Sequence, residues 1–466
     1  MSGDLRYRLE VPRGPQRALA RAWLWLGLAA LIGSGLFSIL LVLSRTPLVN
    51  EWLPGADFFR VALVVHVDLS VLVWFAALAG VLWSIHGSAR GTAWGWAAIG
   101  LSAAGAAAMS LAAFVGSGEP VMANYIPVLD RPLFLAGLLV FAAGCTVLVL
   151  RTLAIAPRTG VTLTGEGALR FGLTGAAVSG AVALLAFAAS FTQVPTTLAA
   201  KAYYEILFWG GGHALQFTWT LLMLVSWLWL ADAAGARWHL SPRVALLLFG
   251  LALASVFVTP YAYLAHPVAS VEHRDLLTWA MRLGGGVAIA PIALAVVAGL
   301  ASGRHPVDAT ARPLRAALVW SMVLFASGGV IGAFIQGANV RIPAHYHGCI
   351  VGVTLALMGI AYHLLPRLGY DAPLGRAAAL QPALYGIGQL MHISGLVWSG
   401  GYGVQRKVAG AEQVLRSTGE IAGMALMGLG GMVAIAGGLL FVVVMLRAMR
   451  GGHSRSRLVG GGEALA

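Results

Sequence analysis

The feature of this 466-residue sequence that most constrains its fold is a series of long apolar stretches running from one end to the other. An α-helix needs about 20 consecutive apolar residues to cross the hydrocarbon core of a bilayer. Twelve stretches reach that length, at 20–44, 58–86, 92–115, 131–151, 168–192, 202–232, 243–265, 275–301, 313–336, 342–366, 376–400 and 417–449. The sequence therefore predicts an all-α polytopic membrane protein, a bundle of about twelve transmembrane helices.

The composition agrees with a membrane location. Hydrophobic residues make up 59% of the chain and charged residues only 10%, whereas soluble proteins carry roughly 25% charged residues. The formal net charge is +13, but the basic residues lie in short loops between apolar stretches, so we expect no nucleic-acid partner. Cys145 and Cys349 both fall inside apolar stretches, which makes a disulfide framework or a thiolate metal site unexpected.

The distribution of basic residues predicts the orientation of the chain. If the N-terminus is cytoplasmic, 20 of the 30 Lys and Arg residues lie on the inner side, as the positive-inside rule requires. An even number of spans returns the C-terminus to the same side. We therefore expect a cytoplasmic tail at 1–19, a membrane domain at 20–449 and a second cytoplasmic tail at 450–466, in a bacterial inner (plasma) membrane.

Five of the twelve histidines are predicted to share the outer third of the bilayer: His66, His213, His266, His345 and His347. Ionisable side chains inside a bilayer are costly and usually face a functional interior. Neutral imidazole is a common ligand of iron and copper. His345 and His347 are two residues apart, so on a helix they point about 200° apart. They are therefore suited to binding two different groups, such as two hemes, on opposite sides of one helix.

The sequence Arg-Ile-Pro-Ala-His-Tyr-His-Gly at 341–348 resembles the tenth-helix motif of subunit I, the catalytic subunit, of heme-copper oxidases. The resemblance implies that His345 ligates a high-spin heme and that His347 ligates a low-spin heme. The second axial ligand of the low-spin heme would be His66, in Val-His-Val-Asp-Leu-Ser at 65–70. Span number, topology and ligand depth extend the resemblance over nearly the whole chain.

The sequence around His213, Trp-Gly-Gly-Gly-His-Ala-Leu-Gln-Phe at 209–217, most resembles the bacterial C-type high-affinity oxidases, which carry a Gly-His there. The chain as a whole resembles the branch of the family that contains the C-type oxidases and the nitric-oxide reductases. The resemblance implies that His213 binds a second metal beside the high-spin heme. The family places two adjacent copper-binding histidines on helix 7, where this chain has His266 followed by Pro267. Copper would then have His213 and His266 as ligands, with His273 as a conceivable third.

Two further positions bear on this second metal. Nitric-oxide reductases bind non-heme iron with a Glu one turn after the helix-6 histidine, but this chain has Gln216 there, and Glu205 lies two turns earlier. Tyr261, or alternatively Tyr263, stands in the region of helix 7 where many oxidases carry a tyrosine crosslinked to a copper ligand. The alternatives of a divergent oxidase, a divergent reductase and a heme protein with no second metal stay open.

The resemblance implies a respiratory oxidoreductase with two hemes and one copper or non-heme iron, reducing oxygen or nitric oxide. Arg406 and Lys407 match the basic pair that binds heme propionates in the family. The sequence has no Cys-x-x-Cys-His motif, so electrons would arrive from a small cytochrome c-like or cupredoxin-like subunit, or from quinol. The competing interpretations are a non-catalytic membrane heme electron carrier or gas sensor on the same scaffold, and a transporter.

Overall fold

The computed structural model describes residues 5–49, 56–303, 307–409 and 412–460. Its helices are α1 (Pro15–Leu43), α2 (Ala56–Val67), a π-helical segment (Asp68–Val73), α3 (Trp74–His86), α4 (Thr92–Leu111), α5 (Pro132–Ile155), α6 (Gly165–Gln193), α7 (Ala200–Ala233), α8 (Pro242–Val256), α9 (Val258–Ala265), α10 (Val271–Gly284), α11 (Gly286–Ala301), α12 (Ala311–Ala333), α13 (Arg341–Leu364), α14 (Arg376–Gly401) and α15 (Thr418–Gly460). Between α4 and α5, strands β1 (Pro120–Val121) and β2 (Val128–Leu129) form an antiparallel hairpin.

Several of these helices are consecutive parts of one span. The continuous spans are Phe58–His86, Pro242–Ala265 and Val271–Ala301, so the described residues form twelve helical spans. Eleven of the spans in this part of the chain are long and apolar enough to cross a membrane. The twelfth is α14, which has 26 residues but carries buried polar side chains, Gln381, His392 and Ser399. The prediction of an all-α polytopic bundle is confirmed.

The ends of the bundle differ from the predicted limits by a few residues. Helix α1 begins at Pro15 rather than at residue 20, because Pro is well accommodated in the first turn of a helix. Helix α15 continues to Gly460, beyond the limit at 449. Of the predicted tails, residues 5–14 precede α1, and residues 1–4 and 461–466 lie outside the described residues.

Internal contacts divide the chain into two compact units. The first comprises the described residues within 1–30 and 64–304, and the second comprises those within 31–63 and 305–466. Helices α3 to α11 belong to the first unit, together with His66 and His213. Helices α12 to α15 belong to the second unit, together with His345 and His347.

Glycines set the closest helix contacts within each unit. In the first unit, a Cβ atom on Gly105 of α4 would overlap the backbone nitrogen of Phe141 in α5. In the second unit, a Cβ on Gly328 of α12 would overlap the backbone nitrogen of Cys349 in α13, and Gly388 of α14 lies equally close to α15. Small residues allow such close backbone approach in membranes, where van der Waals packing replaces the hydrophobic effect between helices.

Three spans are much more buried than the others. In the most apolar stretch of each span, 67% of residues are buried in Phe58–His86, 78% in Ala200–Ala233 and 83% in Arg341–Leu364, against 28–50% in the other eight apolar spans of the described chain. These three spans carry His66, His213 and the His345–His347 pair. The candidate ligands therefore lie on the helices with the least surface available to lipid.

We expect Gly105→Ala to destabilise the protein, because the added methyl group meets the backbone of α5 rather than a movable side chain. Overpacking of this kind typically costs about 1–3 kcal/mol of unfolding free energy. Gly100→Ala is the matched control, since it lies on the same helix and a Cβ there meets nothing within 4 Å. Unfolding in detergent measures both variants, and equal stability of the two would contradict the proposed helix contact.

Candidate functional site

The ring of His345 is held by a neighbouring helix. Its Nδ1 lies 2.7 Å from the carbonyl oxygen of Gly328 in α12. Since a carbonyl only accepts, Nδ1 carries the proton and donates, which leaves the lone pair of Nε2 for a ligand. Gly332 contributes space, because a Cβ there would lie 2.6 Å from Nδ1. This fixed tautomer is the arrangement found in metal-binding histidines, so His345 fits heme iron.

The ring of His347 contacts a different helix. Its centroid lies 4.8 Å from that of His392 in α14, at an interplanar angle of 58°. The Nδ1 of His392 lies 3.0 Å from the carbonyl oxygen of Met427 in α15, which fixes this second ring. As the two-residue spacing predicts, His345 and His347 face different neighbours. The sequence placed His392 within a span but gave no sign of its contact with His347.

Basic side chains gather at the N-terminal end of α13. Arg406 donates from Nη1 to the hydroxyl of Tyr346 at 3.2 Å. The loop that carries Arg406 is attached to the turn before α13, where the backbone nitrogen of Val340 donates to the carbonyl of Val404 at 3.0 Å. The guanidinium Nε of Arg341 is buried without a hydrogen-bond partner among the described residues. Lys407 adopts a left-handed backbone conformation (φ 64°). These cations suit carboxylates such as heme propionates.

His66 lies in the last turn of α2, directly before the π-helical segment. Its carbonyl oxygen accepts a hydrogen bond from the Ser70 hydroxyl at 2.7 Å. The π-helical segment begins at Asp68, whose carboxylate is buried and has no hydrogen-bond partner among the described residues. Single π-helical turns inside α-helices are frequent at functional sites. Ligation of heme by His66 stays a prediction.

Both ring nitrogens of His213 have partners. Nδ1 lies 2.8 Å from the carbonyl oxygen of Trp209, one turn earlier in α7. Nε2 lies 3.1 Å from the hydroxyl of Tyr125, which belongs to the hairpin loop between β1 and β2. Because Nδ1 donates to a carbonyl, Nε2 accepts from the tyrosine hydroxyl. His213 is 2% exposed, whereas Tyr125 is half-buried.

The three glycines before His213 each make room for an aromatic ring. A Cβ on Gly210 would overlap the hydroxyl of Tyr263, one on Gly211 would overlap the ring of Phe187, and one on Gly212 would overlap the ring of Tyr125. The Gly-Gly-Gly sequence therefore lets three aromatic side chains reach the backbone of α7. The sequence showed the glycines, but it did not indicate which rings they admit.

The other predicted members of the second-metal site lie in α9, at its C-terminal end and in the first turn of α10. Tyr261 is 59% exposed, whereas Tyr263 faces inward and shares a hydrogen bond of 2.6 Å with Ser190. His266 caps the C-terminal end of α9 and is half-buried. His273 is buried, with Nδ1 3.3 Å from the carbonyl oxygen of Ala262. These positions favour Tyr263 over Tyr261 and His273 over His266 as inward-facing groups.

The donor set does not fit a second metal of the oxidase type. Among the described residues, no three side chains of His, Cys, Asp or Glu are grouped so that they could hold a metal ion. Pro267 offers no ligand, and both nitrogens of His213 are engaged. Glu205 does not supply a carboxylate to the site, because it accepts hydrogen bonds from the backbone and side-chain nitrogens of Asn124.

The fold and these positions define a twelve-span α-helical membrane protein with histidines on its most buried helices. No protein-family model matches the chain. An uncharacterised protein of Rickettsia prowazekii (strain Madrid E) is 26% identical over 500 residues, covering 93% of this chain and 96% of that protein. An uncharacterised protein of Aquifex aeolicus (strain VF5) is 25% identical over 355 residues, covering 76% of this chain and 86% of that one.

A solved structure shares the fold. A chain of a heme-copper terminal oxidase dimer, determined by cryo-EM, superposes with a TM-score of 0.69 at 13% sequence identity. The superposition covers 94% of this chain and 84% of that chain. The expected architecture of a heme-copper oxidase is thus confirmed as a fold over nearly the whole length.

The Glu205–Asn124 contact predicts how the hairpin loop is held in place. Removing the carboxylate with Glu205→Ala leaves the backbone nitrogen of Asn124 without its acceptor. Hydrogen bonds to charged groups contribute about 1.5–3 kcal/mol, so we expect amide hydrogen exchange in the segment 120–129 to accelerate roughly tenfold or more. Glu119→Ala is the control, because Glu119 is an exposed acid beside the same hairpin. Equal exchange in both variants would show that Glu205 does not hold the loop.

Proposed function

We propose that this chain is a heme-binding subunit of a membrane respiratory oxidoreductase, which reduces oxygen or nitric oxide at a high-spin heme on His345. The observation that carries the proposal is the His345–His347 pair on the most buried span. The tautomer of His345 is set by Gly328 so that Nε2 is available, and His347 faces another helix. The fold shared with a heme-copper terminal oxidase supports the same conclusion.

In this proposal His345 would hold the high-spin heme, whose chemistry would be binding and reduction of the diatomic substrate. His347 and His66 would hold the low-spin heme, which would supply electron transfer from the donor. The chain's own contributions are placement and electrostatics: Gly328 orients His345, and His392 limits the rotation of His347. Arg406, with Lys407 beside it, stabilises the negative charge of propionates. The donor is a small cytochrome c-like or cupredoxin-like subunit, or quinol, at the outer face of a bacterial inner membrane.

A second candidate function is favoured by the site around His213. Its occupied Nε2 and the proline at 267 support a membrane heme protein that carries electrons or senses a gas without reducing it. Both candidates use the same hemes, so heme ligation alone does not separate them. The two candidates are separated by measuring whether the purified protein, supplied with a chemical reductant and a mediator, turns over oxygen or nitric oxide.

Ligand substitution with optical spectroscopy tests the heme assignments. We expect two hemes per chain, of which one binds carbon monoxide. His345→Ala should abolish carbon monoxide binding while retaining the low-spin spectrum, because only the high-spin heme loses its ligand. His347→Ala and His66→Ala should each remove the low-spin spectrum. His239→Ala is the control, since His239 is exposed and bonds to Ser302 at 2.9 Å.

The outcomes separate the interpretations. Hemes with turnover support the oxidoreductase, and hemes without turnover support the carrier or sensor. A preparation without heme would contradict both, and would leave a transporter on this scaffold. Unchanged carbon monoxide binding in His345→Ala would show that a residue other than His345 ligates the high-spin heme.

A further inference from the structure

The hydroxyl of Tyr125 occupies the nitrogen of His213 that a metal would need. The Nε2 of His213 is the one nitrogen not used by the helix backbone, and it accepts from Tyr125 at 3.1 Å. We propose that the His213 site works as a tyrosine–histidine hydrogen-bonded pair and binds no metal. This inference concerns the second-metal position alone and goes beyond the proposed heme chemistry.

The hairpin loop is built to deliver Tyr125 to this position. Strands β1 and β2 pair in register, Pro120 with Leu129 and Val121 with Val128, which closes the loop that contains Asn124 and Tyr125. Glu205, two turns before His213 on the same helix, accepts from both nitrogens of Asn124. Asn124, the residue before Tyr125, is therefore bonded to α7 independently of the Tyr125–His213 hydrogen bond.

The surface of α7 is shaped to receive the tyrosine ring. Gly212 is the residue directly before His213, and any side chain there would overlap the ring of Tyr125. Trp209 closes another side, with its ring centroid 5.8 Å from that of Tyr125 in an edge-to-face arrangement. The rings of Tyr125 and His213 lie 5.0 Å apart. Three residues of one helix thus fix both the position and the depth of the hydroxyl.

His273 and His266 are the remaining candidate ligands of this site. The Nδ1 of His273 lies 3.3 Å from the carbonyl of Ala262, and the His273 ring packs edge-to-face on Tyr263 at 4.6 Å. His266 lies at a half-buried helix end, followed by Pro267. A copper or iron ion at His213 would have to displace Tyr125, and the described residues offer no group of three His, Cys, Asp or Glu side chains to hold it. The hydrogen bond satisfies the second ring nitrogen of the buried His213 without a metal.

The first part of the test is metal analysis of the full-length protein in detergent, as purified and after incubation with copper(I) or iron(II) followed by desalting. We expect metal beyond heme iron to stay below about one tenth of an equivalent per chain, because a metal site needs several directed donors. We expect His213→Leu to give the same value. One equivalent of copper or iron that is lost in His213→Leu would overturn the proposal.

The second part measures the hydrogen bond directly with a double-mutant cycle. Tyr125→Phe removes the hydroxyl that donates to Nε2, and His213→Leu removes Nε2 itself, so each single variant already breaks the same hydrogen bond and the double variant breaks no further one. Each single variant raises the equilibrium constant of unfolding by some factor. We expect the factor for the double variant to be at least about fivefold smaller than the product of the two single factors. Tyr203→Phe with His213→Leu is the control pair and should show no coupling, since Tyr203 contacts Tyr204 instead.

If the unfolding equilibrium constant of the double variant equals the product expected from Tyr125→Phe and His213→Leu, the proposed hydrogen-bonded pair is overturned. The same preparations are assayed for heme, which keeps the two proposals separate. Absence of heme contradicts the proposed function and leaves the Tyr125–His213 result intact. A metal that depends on His213 contradicts this inference and leaves the heme assignments intact.

Discussion

The hydrogen bond from His345 to the carbonyl of Gly328 depends on two helices lying in direct backbone contact. Helices α12 and α13 meet at Gly328 and Gly348, where a Cβ on either residue would strike the backbone of the other helix. At this separation the imidazole reaches a carbonyl in the adjacent helix at 2.7 Å. Because a carbonyl oxygen only accepts, the contact fixes the tautomer. Whatever binds Nε2 therefore meets a nitrogen whose lone pair and direction are already set.

Glycine performs a different task around His213. In α7 the glycines do not bring two helices together; they admit the rings of Phe187, Tyr263 and Tyr125. A helix with a continuous set of side chains would keep the hairpin loop away from the imidazole. The same residue type thus builds a backbone contact at one histidine and an aromatic enclosure at the other. This difference explains why one histidine retains a lone pair and the other has both nitrogens in use.

Sequence reasoning predicted the architecture because the bilayer imposes length and polarity on every span. It also predicted that His345 and His347 face different neighbours, since helical geometry alone gives that result. It did not predict Tyr125, because a loop side chain reaches His213 through the register of a hairpin and a contact between Glu205 and Asn124. Neither contact has a periodic signature. The Gly-Gly-Gly sequence was the one available signal of this contact. It indicates that other groups approach α7 closely, but it does not identify Tyr125 as one of them.

The two histidine environments bear on the choice between an oxidoreductase and a carrier or sensor. Reducing a diatomic molecule requires electrons, protons and charge stabilisation beside the bound gas. A second metal provides charge stabilisation as a Lewis acid, but the donors near His213 are not arranged for one. A phenol paired with an imidazole instead provides a hydroxyl proton and a neutral acceptor, the two groups that general acid–base catalysis uses. The rate of turnover, rather than the number of hemes, therefore decides whether a chain with the Tyr125–His213 pair in place of a second metal reduces a diatomic molecule.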